Sequence, residues 1–247
     1  MQIYAIIPSR YGSTRFDGKP LVPIAGKPMI QRVYERAQAA TDVSDVFVAT
    51  DDQRILNAVK EFGGQAVMTS VENRSGTDRV AEAAKLLGLE LTDIIINIQG
   101  DQPCLNPKCL DELVAPFFKG PDIEMSTLAF KIVREEEKTN PKDVKVTFDV
   151  NDQALYFSRS LIPYARDPDI SFDVYKHLGV YGYTMKFLEI FRKLPSGNLE
   201  IIERLEQLRA IEYGHRIQVV ITEYDSPEVD IPEDIQRIEA LLAGNQC

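Results

Sequence analysis

Residues 1–52, MQIYAIIPSRYGSTRFDGKPLVPIAGKPMIQRVYERAQAATDVSDVFVATDD, contain the pattern on which the fold turns. Residues 2–8 are an apolar run that reads as a buried strand. Residues 28–40 read as a helix, with Ile30, Val33, Tyr34 and Ala37 on one face and Pro28 in the first turn, where a missing N–H costs little. Residues 46–49 make a second strand. The alternation continues with a helix over 52–62 that turns Ile55, Leu56, Val59 and Phe62 inward, a strand over 65–68, a helix over 77–87 and a strand over 93–98. The order βαβαβαβ predicts an α/β fold with a mostly parallel, doubly wound sheet. Ligands of such sheets sit in the crevice beyond the carboxyl ends of the strands, so the loops at 7–21, 74–79 and 98–103 are expected to meet there.

The pattern changes further on. Residues 107–119 read as another helix, but 125–133, 144–149, 154–157 and 179–184 are strand-like with no long helix between them. Antiparallel pairing, in an extension that also meets a partner subunit, is the economical expectation. Residues 187–192 and 199–210 are helical, the latter with Ile202, Leu205 and Leu208 spaced for burial. Residues 217–222 are a last strand and 232–242 a closing helix. The charged stretch 134–143 reads as a solvated connector.

Bulk properties narrow the function. A hydrophobic content of 44% suits a chain that buries a real core, and a net charge of -10 argues against wrapping nucleic acid, which calls for a basic face. The first apolar run is too short for a signal segment or a membrane span, so no membrane partner and a cytoplasmic location are expected. Three cysteines, Cys104, Cys109 and Cys247, make no paired framework; with only His177 and His215 beside them, reduced thiols and no structural zinc are expected.

The three loops carry chemistry suited to a triphosphate with a metal ion. In the first, Gly12 and Gly18 allow close backbone approach, Ser13 and Thr14 add hydroxyls, and Arg10, Arg15 and Lys19 can neutralise phosphates. Neither a Walker loop nor a dinucleotide fingerprint is present. In the second loop, Arg74 to Arg79, Ser75 or Thr77 can cap a helix whose free N–H groups face an anion. In the third, Asp101 projects from a strand end, where magnesium takes one or two carboxylates plus phosphate oxygens; Asp230 is a second candidate, or else a cap for the last helix.

These stretches, in order, carry a family resemblance. Ile-Pro-Ser-Arg-Tyr-Gly-Ser-Thr-Arg (7–15), Gly-Lys-Pro-Leu (18–21), Ser-Gly-Thr-Asp-Arg (75–79), Gln-Gly-Asp-Gln-Pro (99–103), His-Leu-Gly-Val-Tyr-Gly-Tyr (177–183) and Val-Asp-Ile-Pro-Glu-Asp (229–234) resemble the 3-deoxy-manno-octulosonate (Kdo) cytidylyltransferases over essentially the whole chain. The resemblance implies one Rossmann-like nucleotidyltransferase domain over 1–247, of the nucleotide-diphospho-sugar transferase type. It would carry an antiparallel sugar-binding and dimerisation extension around 121–190, and a homodimer is expected. The implied reaction joins CTP to an acidic eight-carbon sugar, releases pyrophosphate and gives the CMP-sugar used for lipopolysaccharide. Arg10, Ser13, Arg15, Lys19, Arg74, Ser75, Gly76 and Arg79 match nucleotide-binding positions. Asp101 and Asp230 match a magnesium pair. Gln99, Arg159, His177, Tyr181, Glu206 and Gln207 match or adjoin sugar-contacting positions. Catalysis then rests on positioning and charge, with Arg15 and Lys19 on the leaving pyrophosphate and magnesium on Asp101 and Asp230 activating the anomeric hydroxyl.

The chain departs from the family pattern at Phe16-Asp17, where relatives commonly have Leu-Pro, at Lys176, where Arg is frequent, and in a short stretch from 163 to 176. The last two resemble the subset acting on the 8-amino sugar, whose amine would suit a nearby carboxylate such as Asp173. The alternatives are a cytidylyltransferase for another acidic sugar such as neuraminate, and a nucleotide-sugar sensor without turnover.

Overall fold

The computed structural model describes residues 1–12, 16–120, 123–167, 169–244 and 247. Strand β1 (Ile3–Ser9) leads through a small hairpin, β2 (Pro23–Ile24) and β3 (Lys27–Pro28), into helix α1 (Met29–Gln38). Then follow β4 (Asp45–Thr50), α2 (Gln53–Glu61), β5 (Gln65–Met68), α3 (Gly76–Leu86), β6 (Ile94–Asn97) and α4 (Pro107–Val114). The second half contains β7 (Met125–Lys131), α5 (Glu135–Thr139), β8 (Lys145–Phe148), β9 (Ala154–Ser158) and β10 (Tyr175–Thr184). It closes with α6 (Met185–Phe191), α7 (Asn198–Glu203), α8 (Leu208–Glu212), β11 (Gln218–Thr222) and α9 (Asp234–Ala243).

Among the described residues nine strands form one sheet with the path β11-β7-β10-β6-β1-β4-β5, while β8 joins β10 and pairs with β9. Strands β6, β1, β4 and β5 run parallel; β10 is antiparallel to both β6 and β7, and β11 is parallel to β7. Period-two side-chain alternation explains the two layers. In β1, Ile3, Ala5 and Ile7 enter one core with Val33 of α1, Val59 of α2 and Leu110 of α4. Ile6 enters the other with Val80 of α3, Phe187 of α6 and Leu208 of α8. β6 divides the same way, Ile94 and Ile96 against Ile95. A strand buried on both faces must be apolar throughout, which is why these runs were so plain in the sequence.

Four expectations need correction. Residues 134–143 are not simply a solvated connector. Their helix α5 buries Glu137 to 3% exposure, because Arg134 and Lys176 (2.7 Å) supply counter-charge to its Oε1. The single helix expected over 199–210 is two, parted by Arg204 in the left-handed region at φ 53°, and Ile202 points outward. β10 begins at Tyr175 rather than residue 179. Finally, Cys104 and Cys247 are joined in a disulfide, and Cys109 alone is a free, buried thiol. Spacing along the chain could not reveal that pair, since α9 packs on the β2–β3 hairpin and returns the terminus to the loop after Asp101.

Candidate active site

The carboxyl ends of β1, β5 and β6 open onto a cleft of about 290 Å³. Arg10, Lys19, Arg74, Ser75, Gly76 and Arg79 all line it, and Gln99 and Asp101 close its inner end. Ser13 and Arg15 lie outside the described residues. Space is tight at Gly76, where a Cβ would stand 3.3 Å from Pro8 Cγ. Ser75 caps α3 by accepting from Asp78 N at 3.1 Å, so capping and a place on the cleft hold together. Arg79 is buried and tied to Asp51 (2.6 Å) and Thr69 (2.7 Å), whereas Arg74 is exposed with Asp78 at 3.6 Å. Asp17 is exposed and does not line the cleft. Sequence reasoning missed Ser9, whose buried hydroxyl at the cleft wall has no hydrogen-bond partner among the described residues.

A second cavity, of about 390 Å³, shares Gln99 and Asp101 with the first. Arg159, His177, Tyr181, Gln207 and Asp230 line it as well, so seven residues assigned by resemblance to the sugar or metal converge here, from the ends of β6 and β9, from β10, from the α7–α8 turn and from the segment before α9. Glu206 does not line it. Its carboxylate accepts from Thr77 Oγ1 at 2.5 Å under the start of α3, and burial raises its pKa. Gln207 is 3% exposed and its Nε2 has no protein partner, a polar group buried at the cavity wall.

Lys19 holds the junction of the two cavities. Its Nζ stands 2.8 Å from Asp101 Oδ2 and 3.9 Å from Asp230 Oδ1. The other Asp101 oxygen is buried with no hydrogen-bond partner among the described residues. The two carboxylate segments are also tied through backbone, Val229 N donating to Asp101 O at 3.0 Å. Among the described residues no group of three or more His, Cys, Asp or Glu is placed to hold a metal. A third carboxyl, Glu228, lies beside them. Burial first, and Asp101 and Asp230 after it, push its pKa up to about 8. The sequence offered no signal for Glu228 beyond its place in an acidic stretch, and it was missed.

The cavity wall is shaped by an irregularity in β10. The register against β7 shifts between His177 and Tyr181, with Gly179 at φ 69°, a conformation that favours glycine. Two glutamines brace it: Gln102 Nε2 donates to Leu178 O at 2.5 Å, and Gln99 Nε2 to Gly179 O at 3.3 Å. Thr127 Oγ1 donates to Val180 O and therefore accepts from His177 Nε2, both at 2.8 Å. His177 thus carries its proton on Nε2 and keeps Nδ1 as an acceptor. Burial lowers its pKa to about 3, so it is neutral at physiological pH. Tyr181 is pushed the other way, well above its ordinary value, by burial and then by Glu206 and Glu228.

Arg159 lines the cavity but spends its guanidinium on carbonyls: Nε donates to Glu203 O (2.8 Å), one Nη to Pro141 O (2.9 Å) and the other to Arg204 O (3.4 Å). Beneath it Lys145, with no exposed surface, donates to the carbonyls of Asn140 (2.9 Å), Asp143 (2.6 Å) and Arg159 (2.7 Å). The expectation for Asp173 fails. Its half-exposed carboxylate pairs with Lys131 at 2.8 Å on the surface and lines neither cavity.

With this geometry in place, residues 4–217 match the model of a family described as cytidylyltransferase. A relative from Desulfosudis oleivorans named 3-deoxy-manno-octulosonate cytidylyltransferase is 63% identical over 99% of this chain and 98% of its own. One from Shewanella piezotolerans, named 8-amino-3,8-dideoxy-manno-octulosonate cytidylyltransferase, is 55% identical over 98% of this chain and 99% of its own. A solved CMP:2-keto-3-deoxy-manno-octonic acid synthetase complexed with CTP superposes with a TM-score of 0.93 at 40% identity, covering 99% of this chain and all of the other.

Proposed function

The chain belongs to the 3-deoxy-manno-octulosonate cytidylyltransferase family, and we propose that it joins CTP to Kdo or its 8-amino counterpart, releasing pyrophosphate and supplying the CMP-sugar for lipopolysaccharide. One observation supports this most directly: a cationic cleft and a polar cavity meet at Gln99 and Asp101, with Lys19 between two carboxylates at the junction. CTP occupies the cleft, its phosphates near Arg10, Lys19 and Arg74; the family resemblance assigns Ser13 and Arg15 to the same triphosphate. The sugar occupies the cavity, so its anomeric hydroxyl reaches the α-phosphate at the meeting point. The oxygen–phosphorus bond forms as the bond to the β-phosphate breaks, and the ammonium of Lys19 balances charge on the departing pyrophosphate. Arg159 and Gln207 orient the sugar, and neutral His177 offers it a hydrogen-bond acceptor rather than a base.

Asp101 and Asp230 suit a magnesium ion: both are hard carboxylates on one ammonium, and Asp101 keeps a buried oxygen with no protein partner. When bound, the ion supplies polarisation of the phosphate and of the attacking hydroxyl. We further place the enzyme in the cytoplasm, where CTP is made; among the described residues no helix is long and apolar enough to cross a membrane. A homodimer is also proposed, supported by the exposed apolar side chains Val150, Leu155, Leu161, Tyr164 and Ile170 along the antiparallel region.

Pyrophosphate release with CTP and Mg²⁺, across Kdo, 8-amino-Kdo and neuraminate, tests the reaction. Turnover with an octulosonate is expected. Turnover with neuraminate alone, or CTP binding without turnover of any sugar, would overturn it.

A further inference from the structure

The wall of the sugar cavity and the two carboxylates at the junction belong to different elements, and one buried side chain joins them. Gln102 follows Asp101 and has no exposed surface. Its Nε2 donates to Leu178 O at 2.5 Å and to Glu228 Oε1 at 3.2 Å. Leu178 lies where β10 sets residues 178–180 opposite Leu128 alone, between the pairs His177–Ala129 and Tyr181–Thr127. Regular pairing lapses at such a bulge, and the carbonyl takes its hydrogen from outside the sheet. Glu228 lines the sugar cavity two residues before Asp230, and its neighbour Val229 is bonded to Asp101. A Cβ at Gly179 would stand 3.8 Å from Glu228 Oε1 and 3.9 Å from Gln102 Nε2, so the three segments meet at one point.

We propose that Gln102 is a positioning residue for the transfer. It holds the β10 wall, with His177 and Tyr181, and the Glu228 carboxylate in fixed relation to Asp101 and Asp230, and so sets where the sugar presents its anomeric hydroxyl. The inference rests on the reaction proposed above and adds a residue to it. Gln102 lines neither the cleft nor the sugar cavity, so it acts through its neighbours. The position demands an amide. Both partners are acceptors, and a primary amide carries two N–H donors on one atom, whereas an ionised glutamate of the same shape offers acceptors only. The bond from Val229 N to Asp101 O spaces the carboxylates but involves no atom of β10; the Gln102 amide supplies that link. Gln99 also reaches β10, at Gly179 O over 3.3 Å, but it lines the cavity itself.

The test measures steady-state kinetics with the octulosonate that the wild type turns over, below each variant's melting temperature. The variants are Gln102→Met, Gln102→Glu, and Gln102→Glu combined with Glu228→Gln. Gln102→Met keeps the shape and loses both donors. It should lower kcat/KM for the sugar by about tenfold to a hundredfold, the scale of a misplacement of 1 Å, while KM for CTP stays within about twofold. Gln102→Glu should lose more, and adding Glu228→Gln, which returns a donor to that pair, should recover severalfold. A purely structural role would lower the melting temperature and leave the kinetics of the folded enzyme as they were. Gln102→Met brings no new charge and decides the matter if Gln102→Glu fails to fold. A change under about threefold in Gln102→Met, less than 1 kcal/mol of barrier, would overturn the proposal. So would an equal rise in both KM values, or a double variant no better than Gln102→Glu. Each of these leaves the cytidylyltransferase reading intact. A wild type silent with both Kdo and 8-amino-Kdo would bring down both.

Discussion

Replacing Lys145 by Met tests how the sugar cavity is held open. Lys145 has no exposed surface and no carboxylate within ion-pair distance; its ammonium ends on the carbonyls of Asn140, Asp143 and Arg159. Burial first, and the charge of Arg159 after it, push its pKa down. Three hydrogen bonds to a charged donor, at roughly 1.5–3 kcal/mol each, total about 5–9 kcal/mol. Against that stands the burial of an ammonium, which costs several kcal/mol and which the isosteric Met escapes. The difference predicts a loss of about 2–4 kcal/mol, read as a lower urea midpoint at unchanged slope. The same change unties Arg159 and residues 140–143, which include Lys142 on the wall of the second cavity, so KM for the sugar should rise while KM for CTP holds. A destabilisation below about 1 kcal/mol, the size of one ordinary hydrogen bond, would refute the argument that these carbonyls depend on the ammonium. An equal rise in both KM values would refute its local action on the sugar.

Three further outcomes are expected. Lys19→Ala should lower kcat by about 10²–10³ with the melting profile retained, in line with other single charge-stabilising donors, and a loss under about threefold would remove Lys19 from the chemistry. Because the folded pKa of His177 is about 3 and lies below its unfolded value, the unfolded chain takes up the extra proton between the two; its contribution to stability is complete above about pH 6.5 and falls by roughly 1.4 kcal/mol per pH unit below that. His177→Phe should flatten this part of the urea-midpoint profile between pH 7 and pH 5, and an identical slope in the two proteins would contradict the burial argument. Cys104→Ser should cost about 2–4 kcal/mol without reductant and nothing with it. Identical melts in both conditions would mean that the bond to Cys247 does not form in solution.

The parts legible from sequence were those governed by local rules. β1, β4 and β6 announce themselves because burial on both faces leaves no room for polar residues, and the three loops follow from where parallel strands end. What escaped was long-range compensation. Glu137 is a glutamate in a charged run until Lys176, 39 positions away, neutralises it. Lys145 sits in a strand that looks half-polar, yet is wholly buried because three carbonyls turn toward it. The break between α7 and α8 hangs on one left-handed residue, Arg204, that hydrophobic spacing does not register. Within the site, the residues named as candidates stood out by residue type in motifs, while Glu228, which only its surroundings single out, was not named.

The bond from Val229 N to Asp101 O carries an implication for how such a chain can change. The two carboxylates are far apart in sequence, with β7 to β11 and every turn of the antiparallel region between them. If their separation depended on the path of that chain, each insertion or deletion there would disturb the junction. Instead one backbone pair sets it directly, so the intervening segments are free to lengthen, shorten or exchange sugar preference while the reacting centre keeps its dimensions. Grafting a differently sized 163–176 segment should therefore leave the pairing of Val229 N with Asp101 O intact.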